Sequence, residues 1–262
     1  MTDPHLHDGQ HGHGAADSNG TPWAGRQFEP NHAADDDGSA PERLIEAIRR
    51  FRSAELGEAE VLDALRESRL LIPLVAQLGE AGIGDHGHTV DKSAELALVT
   101  VAAPDGRSIL PAFSSVDSMR AWNPKARPVP ADAVRVALAA AGEQTDLVVV
   151  DPTSETEFVI RRPALWALAQ SQPWTPSYLD PEVQHRFDES VGTEPDVAEV
   201  RLLAGDPDAR LAGPELAVHL ALRPGLDQPS LAALLGRLQQ RWGADAVIAT
   251  RVDSLGLTVV AA

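Results

Sequence analysis

The chain has 262 residues, no cysteine, and 22 Lys and Arg against 39 Asp and Glu, which gives a formal net charge of −17. The missing cysteines exclude disulfides and thiolate chemistry, and the negative charge disfavours nucleic acid and anionic membrane surfaces as partners. The first residues lack the apolar run of a secretory signal, and the apolar runs elsewhere are too short to cross a bilayer. We therefore expect a cytoplasmic protein with two modest domains.

Residues 1–38 predict a disordered leader, because they are rich in Gly, His and Asp and have few aliphatic side chains to bury. The leader contains four closely spaced histidines, whose imidazoles could converge on a divalent transition-metal ion: His5, His7, His11 and His13. The alternative is a solvated tail without an ordered site, and we favour it. No cofactor is predicted.

The first folded elements are predicted over residues 39–113. Ser39 and Glu42 have the spacing of a capping box around Pro41, which predicts the start of a helix, and a second helical run follows Gly57. Residues 69–75 predict an edge strand, or a strand that ends at Pro73, because this proline lacks a backbone donor. Residues 96–102 and 108–113 predict a hairpin around a turn at 104–106.

Residues 114–170 complete this predicted domain. Ser114 and Ser115 favour a capped helix that ends at Trp122, and a further helix follows Pro130. Its expected buried stripe is Val134, Ala137, Leu138 and Ala141. Strands are predicted at 147–150 and 157–160, before a helix that contains Trp166 on an apolar stripe. Residues 39–170 thus predict an α+β domain, a mixed sheet with flanking helices.

The C-terminal part predicts a second and smaller domain. Residues 171–196 contain four prolines and little periodicity, which is typical of a linker. Strands are predicted at 197–203, 216–222, 246–252 and 257–260. Between the second and third of these strands, a helix is predicted whose apolar face carries Leu231, Leu234, Leu235, Leu238 and Trp242. We expect a β-β-α-β domain over 197–262, whose helix covers one face of the sheet.

Three stretches resemble the SseB family, particularly its actinobacterial form: 90–101 (VDKSAELALVTV), 105–124 (DGRSILPAFSSVDSMRAWNP) and 145–168 (TDLVVVDPTSETEFVIRRPALWAL). The resemblance implies an SseB N-terminal domain with a smaller C-terminal partner. The family is named for enhanced serine sensitivity, and the resemblance brings no catalytic residues to these positions.

Several residues are candidates for a surface that binds a protein partner or a small metabolite. Four of them are charged side chains at the ends of predicted strands: Asp91, Lys92, Arg161 and Arg162. Ser114, Trp122 and Asp151 complete the predicted surface. Local ion pairing and helix capping are the alternative for each residue taken singly, and we favour them. Ser114 and Ser115 could act as nucleophiles with His86 and His88, but capping is the better account because no G-x-S-x-G elbow is present.

These observations predict a non-catalytic protein whose first domain presents a protein-binding or metabolite-binding surface. One alternative, implied by the family name, is an enzyme or enzyme regulator in serine or sulfur metabolism. Another is metal binding by the leader histidines.

Overall fold

The computed structural model describes residues 36–77, 95–103, 106–142 and 145–262. The chain forms two units, Met1–Asp36 and Asp37–Ala262, and the description below concerns the second. The predicted leader, apart from its last residues, lies outside the described residues. Among those described, no helix is both long and apolar enough to cross a membrane.

Helices and strands are interspersed along the unit. The first part of the unit contains α1 (Glu42–Arg52), α2 (Glu58–Arg66), β1 (Arg69–Gln77), β2 (Glu95–Leu98), β3 (Val101–Ala102), β4 (Ser108–Ala112), α3 (Val116–Trp122), β5 (Arg127–Asp132), α4 (Ala133–Gly142), β6 (Leu147–Val150), β7 (Phe158–Ile160) and α5 (Arg162–Ala169). The second part contains a 3-10 helix (Ser177–Leu179), α6 (Pro181–Val191), β8 (Val197–Ala204), β9 (Leu216–Leu222), α7 (Gln228–Ala244), α8 (Ala246–Arg251) and β10 (Leu255–Ala261).

Two sheets belong to the first part. One is antiparallel with the order β2-β1-β5, and the other is mixed with the order β3-β4-β6-β7, in which β4 runs parallel to β6. Leu71 and Phe113 exchange two backbone hydrogen bonds of 2.7 and 2.9 Å, which join the two sheets. Helices and mixed sheets together confirm the α+β class.

The main core forms because the apolar faces of α1 and α2 pack onto the sheets. Leu44 and Ile48 of α1 and Leu62 and Leu65 of α2 are fully or almost fully buried, in one cluster with the inward side chains of β4 and β6. Each such side chain contributes roughly 1.5–3 kcal/mol on burial. The first part is therefore held by an aliphatic core.

A third sheet forms the C-terminal part, with the order β10-β9-β8. β8 is antiparallel to β9, whereas β10 is parallel to it and is reached through α7 and α8. Alternate residues of β9 are buried against a core that includes Leu234, Leu238 and Trp242 of α7. The predicted β-β-α-β order is confirmed, with α8 as an additional helix.

Two local predictions in the C-terminal part are wrong. Residues 246–251 form α8 instead of a strand, because the Asp245 side chain accepts hydrogen bonds from the amides of Val247 and Ile248 at 2.8 and 3.0 Å and so caps a helix. Residues 171–196 are not irregular, since they contain the 3-10 helix and α6. Val183 and Phe187 of α6 are fully buried, and the Phe187 ring lies 5.1 Å from the ring of Trp242.

Five predictions in the first part also need correction. β1 is the central strand of its sheet instead of an edge strand, and it continues past Pro73 to Gln77. α1 starts after Pro41 without a side-chain cap, and β5 precedes α4 where only a helix was expected. β2 pairs with β1, so only β3 forms the expected hairpin with β4. On α4, Ala137 of the expected stripe is buried together with Ala133, Val136 and Ala140, whereas Leu138 is 55% exposed, because the neighbouring elements cover a different side of the helix.

Candidate functional site

Asp151 is the centre of a buried hydrogen-bond network. Its carboxylate accepts bonds from the Ser114 amide (2.8 Å), the Ser114 hydroxyl (2.6 Å), the Ser118 hydroxyl (2.7 Å) and the Thr156 hydroxyl (2.8 Å). The backbone of Asp151 has a φ of 47°, a left-handed conformation that asparagine and aspartate tolerate better than most residues. The network joins the end of β4, the start of α3 and the turn after β6.

This geometry shows how the serines at the start of α3 are used. Ser115 is the N-cap, since its Oγ accepts a 3.0 Å bond from the Ser118 amide, and the capping interpretation of Ser115 is confirmed. Ser114 donates its hydroxyl to Asp151 and is buried. His86 and His88, the proposed bases, lie outside the described residues.

A second buried network connects the two parts of the unit. Arg161 donates to the Asp206 carboxylate at 2.6 Å and to the Asp253 carboxylate at 3.2 Å. All three side chains are almost fully buried. Arg107 adds two bonds to Asp253, of 2.9 and 2.8 Å, and Arg161 also donates to the Gly213 carbonyl at 2.9 Å. Paired charges of this kind avoid the cost of burying an isolated ion.

Two further carboxyl groups, Glu58 and Glu215, are buried close to this network. Burial raises the pKa of Glu58 to about 7, although a 3.1 Å hydrogen bond from the Tyr178 hydroxyl opposes the rise. Burial also raises the pKa of Glu215, and its Oε2 accepts a 2.5 Å bond from the Asp253 amide. Desolvation and the nearby Glu58 carboxyl raise the pKa of Tyr178.

Ser177 lies next to this carboxyl pair. Its hydroxyl is near enough to lower the pKa of Glu215, yet neither Ser177 Oγ nor Glu215 Oε1 has a hydrogen-bond partner of good geometry among the described residues. Because burial raises the pKa of Glu58 to about 7, this buried cluster of Glu58, Glu215 and Ser177 gains a negative charge as the pH rises through neutrality. The described part of the chain contains no group of three His, Cys, Asp or Glu side chains that could hold a metal ion.

The predicted surface residues lie in different environments. Ser114, Asp151 and Arg161 are inside the protein, in the two networks above. Trp122 is partly buried, and its ring lies 5.3 Å from the ring of Phe113. Two more residues of that surface, Asp91 and Lys92, and the four leader histidines of the metal hypothesis, His5, His7, His11 and His13, lie outside the described residues.

Arg162, another residue of the predicted surface, stacks on an exposed aromatic side chain. Its guanidinium carbon lies 5.4 Å from the ring centroid of Trp166, one helical turn further along α5. Arg162 also donates to the Ala249 and Val252 carbonyls at 3.1 and 3.2 Å, at the end of α8. Trp166 is 45% exposed, so its expected packing in the core is wrong. The i, i+4 spacing of arginine and tryptophan was the available signal of a stacked pair.

Comparison with known proteins gives one positive result. Residues 42–167 match the family model described as the SseB protein N-terminal domain. No curated protein and no solved structure matches the chain. The matched region contains Arg107, Arg161 and Trp166, whereas Asp206 and Asp253 lie beyond it.

Proposed function

We propose that this chain, which belongs to the SseB family through residues 42–167, is a non-catalytic protein-binding module, and that its contact surface is centred on Trp166 of α5. The proposal rests on one observation. A large aromatic side chain is exposed on this domain and is held in place by an arginine that is itself anchored.

The position of Trp166 favours binding because little freedom remains to be lost. The Arg162 guanidinium stacks on the Trp166 ring, and its two bonds to carbonyls of the α8 end restrict its own rotation. Ordering a flexible side chain at an interface costs about 0.5–1.5 kcal/mol, and much of this cost is already met here. Tryptophan and arginine are also the residue types most enriched among those that dominate binding energy.

The neighbouring helix also carries an exposed apolar side chain. α4 packs beside α5 and carries Leu138, which is 55% exposed. Contiguous exposed apolar side chains mark interaction surfaces on soluble proteins. A protein partner that covers Trp166 and Leu138 would remove this area from water.

The buried polar groups support binding rather than turnover. The Ser114 hydroxyl and the Asp151 carboxylate bond to each other, and Arg161 is paired with two aspartates. A catalytic group must reach a substrate atom at hydrogen-bond distance. The side chains of Ser114, Asp151 and Arg161 are buried, and their donors and acceptors make hydrogen bonds within the protein.

The test is affinity capture with the full chain, compared with Trp166→Ala, in a lysate of the organism that encodes it. Leu179→Ala is the matched control, because Leu179 is 62% exposed and lies on the 3-10 helix. We expect one or more proteins to be lost by about tenfold or more with Trp166→Ala, as hot-spot truncation predicts, and retained with Leu179→Ala. An identical set of proteins from all three baits, at equal thermal stability, contradicts the proposal.

A further inference from the structure

A groove runs along β8 on the side away from β9. Its lining consists of three residues of α6 and six consecutive residues of β8: Gln184, Asp188, Val191, Ala198, Glu199, Val200, Arg201, Leu202 and Leu203. The cavity has a volume of about 600 Å³, within the usual size range of ligand pockets. We call it the β8–α6 groove.

The lining shows that this groove follows the edge of the strand. Side chains of successive strand residues point to opposite faces of a sheet, so only the edge can present six consecutive residues to one cavity. β8 is the terminal strand of its sheet. Within the described ranges, the amides and carbonyls of residues 198–203 make no backbone hydrogen bonds outside the β8–β9 ladder.

We propose that the β8–α6 groove binds an extended, basic segment of a partner protein, which adds to the sheet as a strand antiparallel or parallel to β8. Strand addition supplies main-chain hydrogen bonds for affinity, while pockets for alternate side chains give specificity. The helix α6 forms the second wall that such pockets require. Six residues of β8 span about 17 Å at 3.4 Å per residue, which matches a segment of about six residues.

The charge of the groove favours a basic segment. Glu199 is paired with Arg201 by bonds of 2.6 and 2.7 Å, so these two charges cancel locally. The Asp188 carboxylate accepts a 2.9 Å bond from the neutral Gln184 amide and remains as the excess charge of the lining. The formal net charge of the whole chain, −17, acts in the same direction by attracting cationic segments.

The edge is also protected against indiscriminate pairing. Glu199 and Arg201 place charges along it, and the register with β9 shifts between Val197 and Glu199. Charges and bulges are common devices that prevent edge-to-edge aggregation. A strand that enters this groove must therefore complement its side chains, which is the condition for specific recognition.

The experiment uses the full chain and a phage-displayed library of nine-residue random peptides as the probe. We expect enrichment of peptides with alternating apolar residues and at least one Lys or Arg. Asp188→Lys should weaken binding of the enriched peptides by about tenfold, since charge pairs at interfaces carry a coupling of this order. The matched control is Glu189→Lys, which makes the same charge change on the same helix but outside the groove lining.

N-methylated peptides then distinguish strand addition from other binding modes. Alternate amides of an added strand face the sheet, so methylation of one alternate set should abolish binding and methylation of the other should not. Equal tolerance of both sets overturns the proposal, as does equal binding by Asp188→Lys and Glu189→Lys. Failure to enrich any peptide, or concentration-dependent self-association that protects the β8 amides from hydrogen exchange, also overturns it.

Discussion

Replacing Glu58 with glutamine should change how the stability of the protein depends on pH. Burial raises the pKa of Glu58 from an ordinary value of 4.5 to about 7. The folded state therefore keeps this proton over a range in which the unfolded chain releases it. One pKa unit corresponds to about 1.4 kcal/mol, so this pKa difference between the folded and unfolded states changes the free energy of unfolding by roughly 3 kcal/mol.

The sign follows from which state binds the proton. The protonated Glu58 carboxyl contributes its full stability below the pKa that Glu58 has in the unfolded chain. This contribution is lost as the pH rises through the pKa that Glu58 has in the folded protein. Between pH 4.5 and about 7, the free energy of unfolding should therefore fall with rising pH. Glu58→Gln keeps an acceptor for the Tyr178 hydroxyl and has no proton to lose, so this component should disappear. Glu215 titrates in the same direction and leaves a residual slope.

The assay is urea unfolding followed by tryptophan fluorescence at several values between about pH 5 and pH 8. At the upper end, Glu58→Gln should be more stable than the natural chain by about 2 kcal/mol, after subtraction of roughly 0.3–1 kcal/mol for a carboxylate lost from the first turn of α2. Glu42→Gln, an exposed first-turn residue of α1, controls for that loss. Parallel pH curves for the natural chain and Glu58→Gln would refute the reasoning.

Two further substitutions test the buried networks. Asp151→Ala removes the acceptor of four hydrogen bonds and should lower the free energy of unfolding by about 3 kcal/mol or more, because the donors are left unsatisfied; calorimetry that finds a loss below about 1 kcal/mol counts against this network. Arg161→Met leaves the Asp206 and Asp253 carboxylates with less compensation and should cost roughly 3–5 kcal/mol. Adding Asp206→Asn should recover part of that loss in a double-mutant cycle, and strict additivity would argue against the pairing.

Local signals in the sequence predicted many elements correctly. The helix that ends at Trp122 does so before the Asn123-Pro124 pair, and Ser115 caps its start. The periodic leucines of α7 place Leu234 and Leu238 in the core. These features depend on contacts within one or two turns of the chain, so they can be inferred without knowing the fold.

Other features depended on what packs against an element. Leu138 and Trp166 lie on helices that are apolar on several sides, and periodicity alone did not show which side the protein covers. α8 resembled a strand because Val247 and Ile248 are β-branched, although Asp245 carried a capping signal. Tertiary packing thus decided which side of α4 and α5 is exposed, whereas at α8 the local cap outweighed the strand propensity.

The candidate sites likewise combine features that the sequence determines with features that only the tertiary structure decides. Composition and charge alone establish a cysteine-free acidic chain, and motif-bearing stretches alone indicated the SseB family. The role of Arg161 was decided by the tertiary structure, because its partners Asp206 and Asp253 are 45 and 92 residues away in sequence. The β8–α6 groove likewise exists only where a strand edge meets a helix. Caps and periodicity act within a few residues, whereas burial, charge pairing and edge exposure arise only when distant segments pack together.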